Sequence, residues 1–187
     1  MSTRNYLHIF YLSHLSKPSA DRSVYRAIGR APVEKVLELG MGGAGRRAQR
    51  IIELTRLLPN APRLRYTAID LFETNPSPTG TQIPLKAVYQ QLRATGSAVQ
   101  LLPGNPLQVL SLWANSLPRF DLVLISPCWE PACLAAAWFY LPRITHADSL
   151  IFLEEISARG RSNMRQIGAD ELAQLASAAA SQRRAAA

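Results

Sequence analysis

The sequence has few of the features that mark membrane or secreted proteins. No apolar run approaches the ~18 residues that a bilayer-spanning helix needs. The N-terminal residues include an arginine and two histidines and lack a small-residue cleavage pattern, so we expect no signal peptide. Only two cysteines occur, Cys128 and Cys133, and their closeness in sequence argues against a disulfide framework. These absences predict a cytoplasmic protein without a membrane partner.

Acidic residues are outnumbered, and lysine is scarce among the basic ones. Of the 21 basic residues 18 are arginine, and the formal net charge is +8. The arginines are spread along the chain, with no run longer than the pairs Arg46–Arg47 and Arg183–Arg184. Two explanations stay open, which are a general compositional preference for arginine and an anionic partner such as RNA or an acidic metabolite. The even spread favours the first.

The segments that remain alternate between strand-like and helix-like patterns, without internal repeats. The 187 residues, 48% of them apolar, are enough for one domain with a hydrophobic core. Apolar runs rich in β-branched residues predict strands, and apolar residues at helical spacing predict the helices between them. The predicted strands are 33–39, 64–72, 98–104, 120–126 and 149–156, and the predicted helices are 46–58, 85–94, one from Pro106, one from Pro131, and 170–182.

This order divides the chain into three parts. We predict an N-terminal helical segment over 1–32, interrupted at Lys17–Pro18, a main domain over 33–182 and a frayed tail over 183–187. Strands that alternate with helices imply right-handed crossovers, and thus a doubly wound parallel α/β sheet of five or more strands with helices on both faces. Ligands of such sheets bind beyond the carboxyl ends of the strands.

A glycine-rich bend follows the first predicted strand. The residues from Gly40 to Gly45 read G-M-G-G-A-G and fit the pattern G-x-G-x-x-G between a strand and a helix. Two ligands are compatible with this bend: a dinucleotide, whose pyrophosphate would lie on the helix N-terminus, and S-adenosylmethionine. Glu38 favours the second, because a carboxylate at the mouth of the bend would repel phosphate and attract an ammonium or sulfonium group. Arg46 and Arg47 would suit phosphate unless they face solvent.

Asp70 ends the second predicted strand, where a carboxylate can accept hydrogen bonds from both hydroxyls of a ribose. It lies 25 residues after Gly45, slightly further than the ~20 typical of dinucleotide sites. Aspartate also commonly caps turns and helices, and this alternative remains open.

Together, the segments "VLELGMGGAG", "YTAIDLF", "FDLVLISP" and "SLIFLEEI" resemble the successive strand ends of class I S-adenosylmethionine-dependent methyltransferases, which have a Rossmann-like fold. The resemblance extends from Val33 to Ile156. It implies cofactor contacts that are distributed over four strand ends. The methionine moiety would contact Glu38, Gly40 and Gly42, the ribose Asp70, and the adenine Leu71 and Asn105, while Ser126 would border the site of methyl transfer. Asn105 precedes Pro106 and is equally suited to cap a helix.

The segment "SPCWEP", residues 126–131, follows the fourth strand, where chemistry is expected. Ser126 is a poor Mg²⁺ ligand, and the adjacent Glu154 and Glu155 would point to opposite faces of a strand, so no metal site is predicted. The segment is also similar to that of amino-methyltransferases acting on nucleic-acid bases, with Trp129 stacking on a base. It is similar as well to the Pro-Cys pair of cytosine-5 methyltransferases, with Cys128 as nucleophile. We favour a structural role for both residues, and no catalytic base is identified.

Only 31 residues follow the fifth predicted strand, and they contain a helix but no convincing strand. The sheet is therefore expected to stop at five strands, with a substrate pocket that is partly open or is completed by a second subunit in a homo-oligomer. The predicted function is metal-independent methyl transfer from S-adenosylmethionine to an oxygen or nitrogen atom of a small-molecule acceptor. The alternatives are a non-catalytic methyltransferase-like binding module, an NAD-binding domain, and a nucleic-acid base methyltransferase that uses "SPCW".

Overall fold

The computed structural model describes residues 3–41, 45–59, 63–72, 84–126 and 131–185. Gly42, for which a cofactor contact is predicted, and the predicted chemistry of Cys128 and Trp129 lie outside these ranges. No described helix is long and apolar enough to cross a bilayer.

The centre of the fold is a six-stranded sheet with the order β3-β2-β1-β4-β5-β6. Neighbouring strands are parallel except for β5 and β6, which are antiparallel. The alternating strand and helix pattern therefore predicted the doubly wound sheet and its first five strands correctly. The strands are β1 Lys35–Leu39, β2 Arg65–Asp70, β3 Ala98–Pro103, β4 Leu122–Ile125, β5 Leu150–Ile156 and β6 Ser162–Ile167.

Helices cover both faces of the sheet. Their bounds are α1 Thr3–Phe10, α2 Arg22–Ile28, α3 Arg46–Leu57, α4 Leu85–Arg93, α5 Pro106–Trp113, α6 Pro131–Ala137 and α7 Ala169–Ala185. One hydrophobic cluster joins α2, α3 and α4 to one face, and a second joins α5, α6 and α7 to the other. Buried apolar surface on each face supplies the main driving force for this arrangement, at about 25 cal/mol per Å². The central strand β4 is apolar and fully buried, as expected for a strand covered on both faces.

The expectation that the sheet stops at five strands is wrong, because β6 forms a hairpin with β5. Ser157 and Arg161 close the turn, where the amide of Ser157 donates to the carbonyl of Arg161 over 2.9 Å. The strand has little sequence signal because its two buried side chains serve opposite faces: Met164 packs into the first cluster and Ile167 into the second. Neither face shows an apolar alternation that sequence patterns could detect.

One further boundary differs from the predictions. Helix α7 continues to Ala185, so Arg183 and Arg184 lie on the helix rather than in a frayed tail. The N-terminal segment consists of α1 and α2, separated by a π-helical turn over Tyr11–Leu15 and a 3₁₀ turn over Ser19–Asp21. The predicted interruption at Lys17–Pro18 falls between those turns.

Candidate functional site

The carboxyl edge of the parallel strands holds the bend that follows β1. The backbone hydrogen bonding between the strands continues past their ends. The amide of Gly40 donates to the carbonyl of Ile69 over 2.8 Å, and the amide of Ser126 donates to the carbonyl of Leu39 over 2.9 Å. Gly40 has a φ of 83°, a conformation that side chains with a Cβ rarely adopt. The chain therefore turns sharply outward at the point where β1 is flanked by β2 and β4.

Asp70 fixes one side of this bend. One carboxylate oxygen accepts the amide of Met41, in the bend itself, and the other accepts the amide of Phe72 over 3.1 Å. The side chain is 6% exposed. The turn-capping role considered for Asp70 is therefore present, and it ties the end of β2 to the bend after β1. Each carboxylate oxygen can accept more than one hydrogen bond, so this arrangement is compatible with a further ligand.

Ser126 fixes the other side. Its hydroxyl lies 2.8 Å from the carbonyl oxygen of Gly40, to which it donates, and 2.6 Å from Nη2 of Arg47, from which it accepts. The residue is buried, and its hydroxyl is thus engaged by the protein itself. The bend at Gly40 and Met41 is consequently held between a carboxylate from β2 and a hydroxyl from the end of β4.

Glu38 does not lie open at the mouth of the bend as predicted. Its side chain is 1% exposed and faces the interior, where Oε1 accepts from Nε of Arg47 at 2.8 Å and lies 2.7 Å from Nη2. The hydroxyl of Tyr66, on β2, donates to the second oxygen. The suggestion that Arg47 faces solvent is also wrong, because its side chain is 5% exposed. These two residues form a buried ion pair beneath the bend.

Arg47 is the centre of a larger cluster of buried polar groups, which we call the Arg47 cluster. Besides Glu38 and Ser126, it contains two carboxylates from distant parts of the chain. Nη1 lies 2.9 Å from Oε2 of Glu154, on β5, and 3.5 Å from Oδ1 of Asp21, which precedes α2. One guanidinium thus connects the N-terminal segment, β1, β4 and β5 at the edge where the bend lies.

Burial and charge act differently on these acids. Burial raises the pKa of Glu38 and of Asp21 above their ordinary values, against the opposing effect of Arg47. Burial acts in the same direction on Glu154, but hydrogen bonds from Ser162 and Arg47 outweigh it and lower its pKa. With Arg47 charged and Glu154 ionised, the cluster carries no net positive charge whatever the state of the other two acids. It therefore offers no electrostatic attraction to a phosphate group.

The remaining predicted contacts lie further along the same edge. Asn105 caps α5, and its side-chain oxygen accepts the amide of Gln108 over 2.8 Å. The capping alternative is therefore the role that the structure describes. Leu71 directly follows Asp70 and is half-buried. Among the described residues, no three histidine, cysteine or acidic side chains are grouped as a metal ion would require.

The sequence itself indicates that Arg47 is buried. Arg47 precedes Ile51 by four residues and Leu54 by seven, so it belongs to the stripe of α3 that the helical period buries. A charged residue at a buried position needs partners, and Glu38 and Glu154 are acids at strand ends on the same edge. Asp21 has no comparable signal, because its position depends on how the N-terminal segment packs.

Comparisons with solved structures identify the fold. The chain is similar to the O-methyltransferase TomG from Streptomyces achromogenes, crystallised with S-adenosylmethionine, with 15% identity over 83% of this chain and 66% of TomG and a TM-score of 0.50. A candidate O-methyltransferase from Klebsiella pneumoniae has 17% identity over 96% of this chain and 75% of its own, at a TM-score of 0.53. The S-adenosylmethionine-dependent methyltransferase from Agrobacterium tumefaciens has 13% identity, with 96% and 50% covered and a TM-score of 0.50. No protein-family model and no curated protein sequence matches the chain.

At these identities the likeness establishes the fold alone. The chain has the Rossmann-like fold that these methyltransferases share, which confirms the fold that the glycine motif and strand ends imply. It spans 66% of the length of TomG and 50% of the length of the Agrobacterium protein.

Proposed function

We propose that this chain binds S-adenosylmethionine and transfers its methyl group, without a metal ion, to an oxygen or nitrogen atom of a small-molecule acceptor. The observation that supports this most is the bend at Gly40 and Met41, held between Asp70 and Ser126 above a cluster without net positive charge. The bend offers backbone at close range to a ligand, and the charge of its surroundings favours a cationic guest over a diphosphate.

We expect different residues at this edge to bind different parts of the cofactor. The carboxylate oxygens of Asp70 keep lone pairs beyond those used for Met41 and Phe72, and these would accept the ribose hydroxyls. Leu71 would lie against the adenine. Gly40 and Gly42 would contact the methionine moiety. S-Adenosylmethionine, when bound, supplies the sulfonium methyl group.

Three further residues, Glu38, Ser126 and Asn105, would help to orient the cofactor or the bend that holds it. Glu38 is already paired with Arg47, so we propose that it contributes to the methionine end through the charge of the Arg47 cluster and not by direct contact. Ser126, with its hydroxyl on the Gly40 carbonyl, would hold the bend at the border of the methyl-transfer site. The side-chain oxygen of Asn105, which accepts the amide of Gln108 at the start of α5, has a second lone pair that would accept a hydrogen bond from the adenine amino group. Orientation of this kind is a large part of what an enzyme contributes to a group transfer.

Calorimetric titration with S-adenosylmethionine, S-adenosylhomocysteine and NAD tests the proposal. We expect the two adenosyl compounds to bind and NAD not to bind. Asp70→Asn should weaken S-adenosylhomocysteine binding about tenfold or more, equivalent to about 1.4 kcal/mol. Asp148→Asn, at an exposed acid outside the candidate site, should leave the affinity unchanged. Binding of NAD in place of the adenosyl compounds would contradict the proposal, as would an unchanged affinity in a folded Asp70→Asn variant.

A non-catalytic binding module would give the same titration. The two are separated by following S-adenosylhomocysteine release with candidate acceptors that carry hydroxyl or amino groups. Turnover that depends on the acceptor supports an enzyme, and binding without turnover across the acceptor panel supports the module.

A further inference from the structure

One helical layer of the fold carries no acidic residues over most of its surface. Residues 104–119, 131–147 and 172–187 contain no aspartate or glutamate, and they include α5, α6 and the larger part of α7. The same segments contain four arginines and no lysine: Arg119, Arg143, Arg183 and Arg184. The four arginines of these segments therefore have no acidic residue in the same segments, although Asp170 and Glu171 lie on the first turn of α7.

Two of these arginines stack on the same aromatic ring. The guanidinium carbon of Arg143 lies 4.6 Å from the ring centroid of Phe139, and that of Arg183 lies 4.7 Å from it. Both guanidiniums also lie near Tyr140, with centroid distances of 5.7 and 5.3 Å, and Arg183 donates to its hydroxyl. We call Phe139, Tyr140, Arg143 and Arg183 the arginine–aromatic patch.

The patch holds two like charges on one aromatic ring. Neither Arg143 nor Arg183 forms an ion pair within the part of the chain that the structure describes, and both are exposed. Arg165, on β6, differs in that it pairs with both Glu155 and Glu171. Stacking on an aromatic ring orders a guanidinium without neutralising it, so the patch presents two oriented donors and an attractive potential to an anion.

The turn that follows α5, a helix that ends in an exposed tryptophan, contacts the patch. Arg143 also contacts the side chain of Asn115 over 3.5 Å, and Asn115 follows the end of α5 by two residues. Trp113, the last residue of that helix, is 47% exposed. Exposed guanidiniums and exposed aromatic rings on one surface are the elements with which proteins bind single-stranded nucleic acid, since phosphates interact with the charges and bases stack on the rings.

The patch is separate from the candidate methyltransferase site. Helix α5 begins just beyond the carboxyl end of β3 and runs back along the sheet, so Trp113 lies toward the opposite edge from Asp70. We propose that this surface binds single-stranded nucleic acid, with phosphates on Arg143 and Arg183 and a base on Trp113. The proposal does not depend on the methyl-transfer activity.

The test measures fluorescence anisotropy with a labelled single-stranded RNA of about 20 nucleotides, long enough for several site lengths. The wild-type chain should bind with an affinity that falls steeply with salt. The double variant Arg143→Gln/Arg183→Gln should bind about tenfold more weakly and flatten the plot of log affinity against log salt by about 1.4, which corresponds to two lost phosphate contacts. Arg143→Lys/Arg183→Lys should keep most of the slope.

Arg93→Gln is the matched control. Arg93 is exposed on α4, in the other helical layer, and its guanidinium carbon lies 5.8 Å from the ring centroid of Tyr89. The control removes one stacked charge from the chain, so its affinity should change little. A loss of binding free energy in the control that is half that of the double variant or more would overturn the proposal, because the control removes one charge and the double variant two, so general positive charge would then account for binding. Absence of RNA binding by the wild type at 0.1 M salt would overturn it too.

Trp113→Leu separates nucleic acid from other polyanions, with heparin as a polyanion without bases. The variant should lose about tenfold in RNA affinity and retain its affinity for heparin. Unchanged RNA affinity in this variant would overturn the proposal in favour of a general polyanion surface. Binding of S-adenosylhomocysteine should be the same in all these variants, so this test and that of the proposed function fail independently.

Discussion

Arg47 binds the same oxygen of Glu38 through Nε at 2.8 Å and Nη2 at 2.7 Å, in an interior where neither side chain is more than 5% exposed. The pair lies beneath the bend that follows β1, and it joins the first turn of α3 to β1. An ion pair that is removed from water in this way is costly to break from one side only.

Arg47→Met should therefore destabilise the protein by about 3–5 kcal/mol, because it leaves buried carboxylates without a cationic partner. The free energy of unfolding from urea titration provides the measurement. Arg26→Gln, at an exposed arginine on α2, should change it by less than about 0.5 kcal/mol. A loss as small as that of the control would mean that Arg47 does not compensate the acids around it.

The double variant Glu38→Gln/Arg47→Met should recover part of that loss, since the amide still accepts the hydroxyl of Tyr66 and carries no charge. We expect a coupling free energy of about 2 kcal/mol between Glu38 and Arg47. The stability loss caused by Arg47→Met should depend on pH, and its direction follows from burial, which already raises the pKa of Glu38. Without Arg47 this pKa rises further, so the Arg47→Met loss should shrink as the pH falls from about 8 to about 5. Additive single effects would contradict the coupling.

Ser126→Ala should weaken both stability and cofactor binding. The hydroxyl connects the carbonyl of Gly40 to Nη2 of Arg47, and its removal leaves two buried polar groups without this partner, at a cost of about 1–3 kcal/mol. Calorimetry with S-adenosylhomocysteine and urea unfolding measure the two effects. Ser111→Ala serves as the control, because Ser111 is exposed on α5 and its hydroxyl donates to a carbonyl within that helix. Full retention of affinity would contradict the role of Ser126 in holding the bend.

Asn105 has a capping role and a proposed role near adenine, and two substitutions separate them. Asn105→Ala should destabilise the protein by about 1 kcal/mol through loss of the cap on the Gln108 amide. Asn105→Asp keeps an oxygen acceptor and should keep the stability. If the side chain contacts adenine, the alanine variant loses S-adenosylhomocysteine affinity and the aspartate variant retains it. Equal affinities in all three proteins would leave Asn105 with the capping role alone.

Asp121→Asn should reduce stability at neutral pH by about 1–2 kcal/mol. Asp121 accepts the amides of Glu34 and Lys35, each over 2.8 Å, and contacts Nε2 of His146 at 2.9 Å. Burial opposes ionisation, but these contacts prevail and hold its pKa below the ordinary 3.8. A lowered carboxylate pKa stabilises the fold above the unfolded value and loses this effect as the pH falls through the folded one.

The difference in the free energy of unfolding between the wild type and Asp121→Asn should therefore disappear in acid. Urea unfolding from neutral pH downward provides the measurement. Asp148→Asn, at an exposed acid, should show no such convergence because it starts without a difference. A gap between Asp121→Asn and wild type that persists in acid would indicate that packing rather than charge explains the loss.

The order of strands and helices could be predicted from the sequence because each buried element of the parallel core has its own apolar period. The bend at Gly40 was predictable for a similar reason, as few residues other than glycine adopt its positive φ. Strand β6 was not, because its two buried residues, Met164 and Ile167, serve different faces. The positions of Glu38 and Asp21 depend on tertiary contacts with Arg47, and the local sequence carries no information about which way an acid at a strand end turns.

The β5–β6 hairpin is connected to the bend at Gly40 by a series of hydrogen bonds. Ser162, on the outermost strand, donates to Glu154, which binds Arg47, which in turn contacts Ser126 on the Gly40 carbonyl. Separation of β6 from β5 would remove the hydrogen bond of Ser162 to Glu154 and should weaken the contacts that hold the bend at Gly40 and Met41. The edge strand β6 and the centre of the sheet are thus coupled, so that a local opening of β6 is expected to disturb the bend after β1.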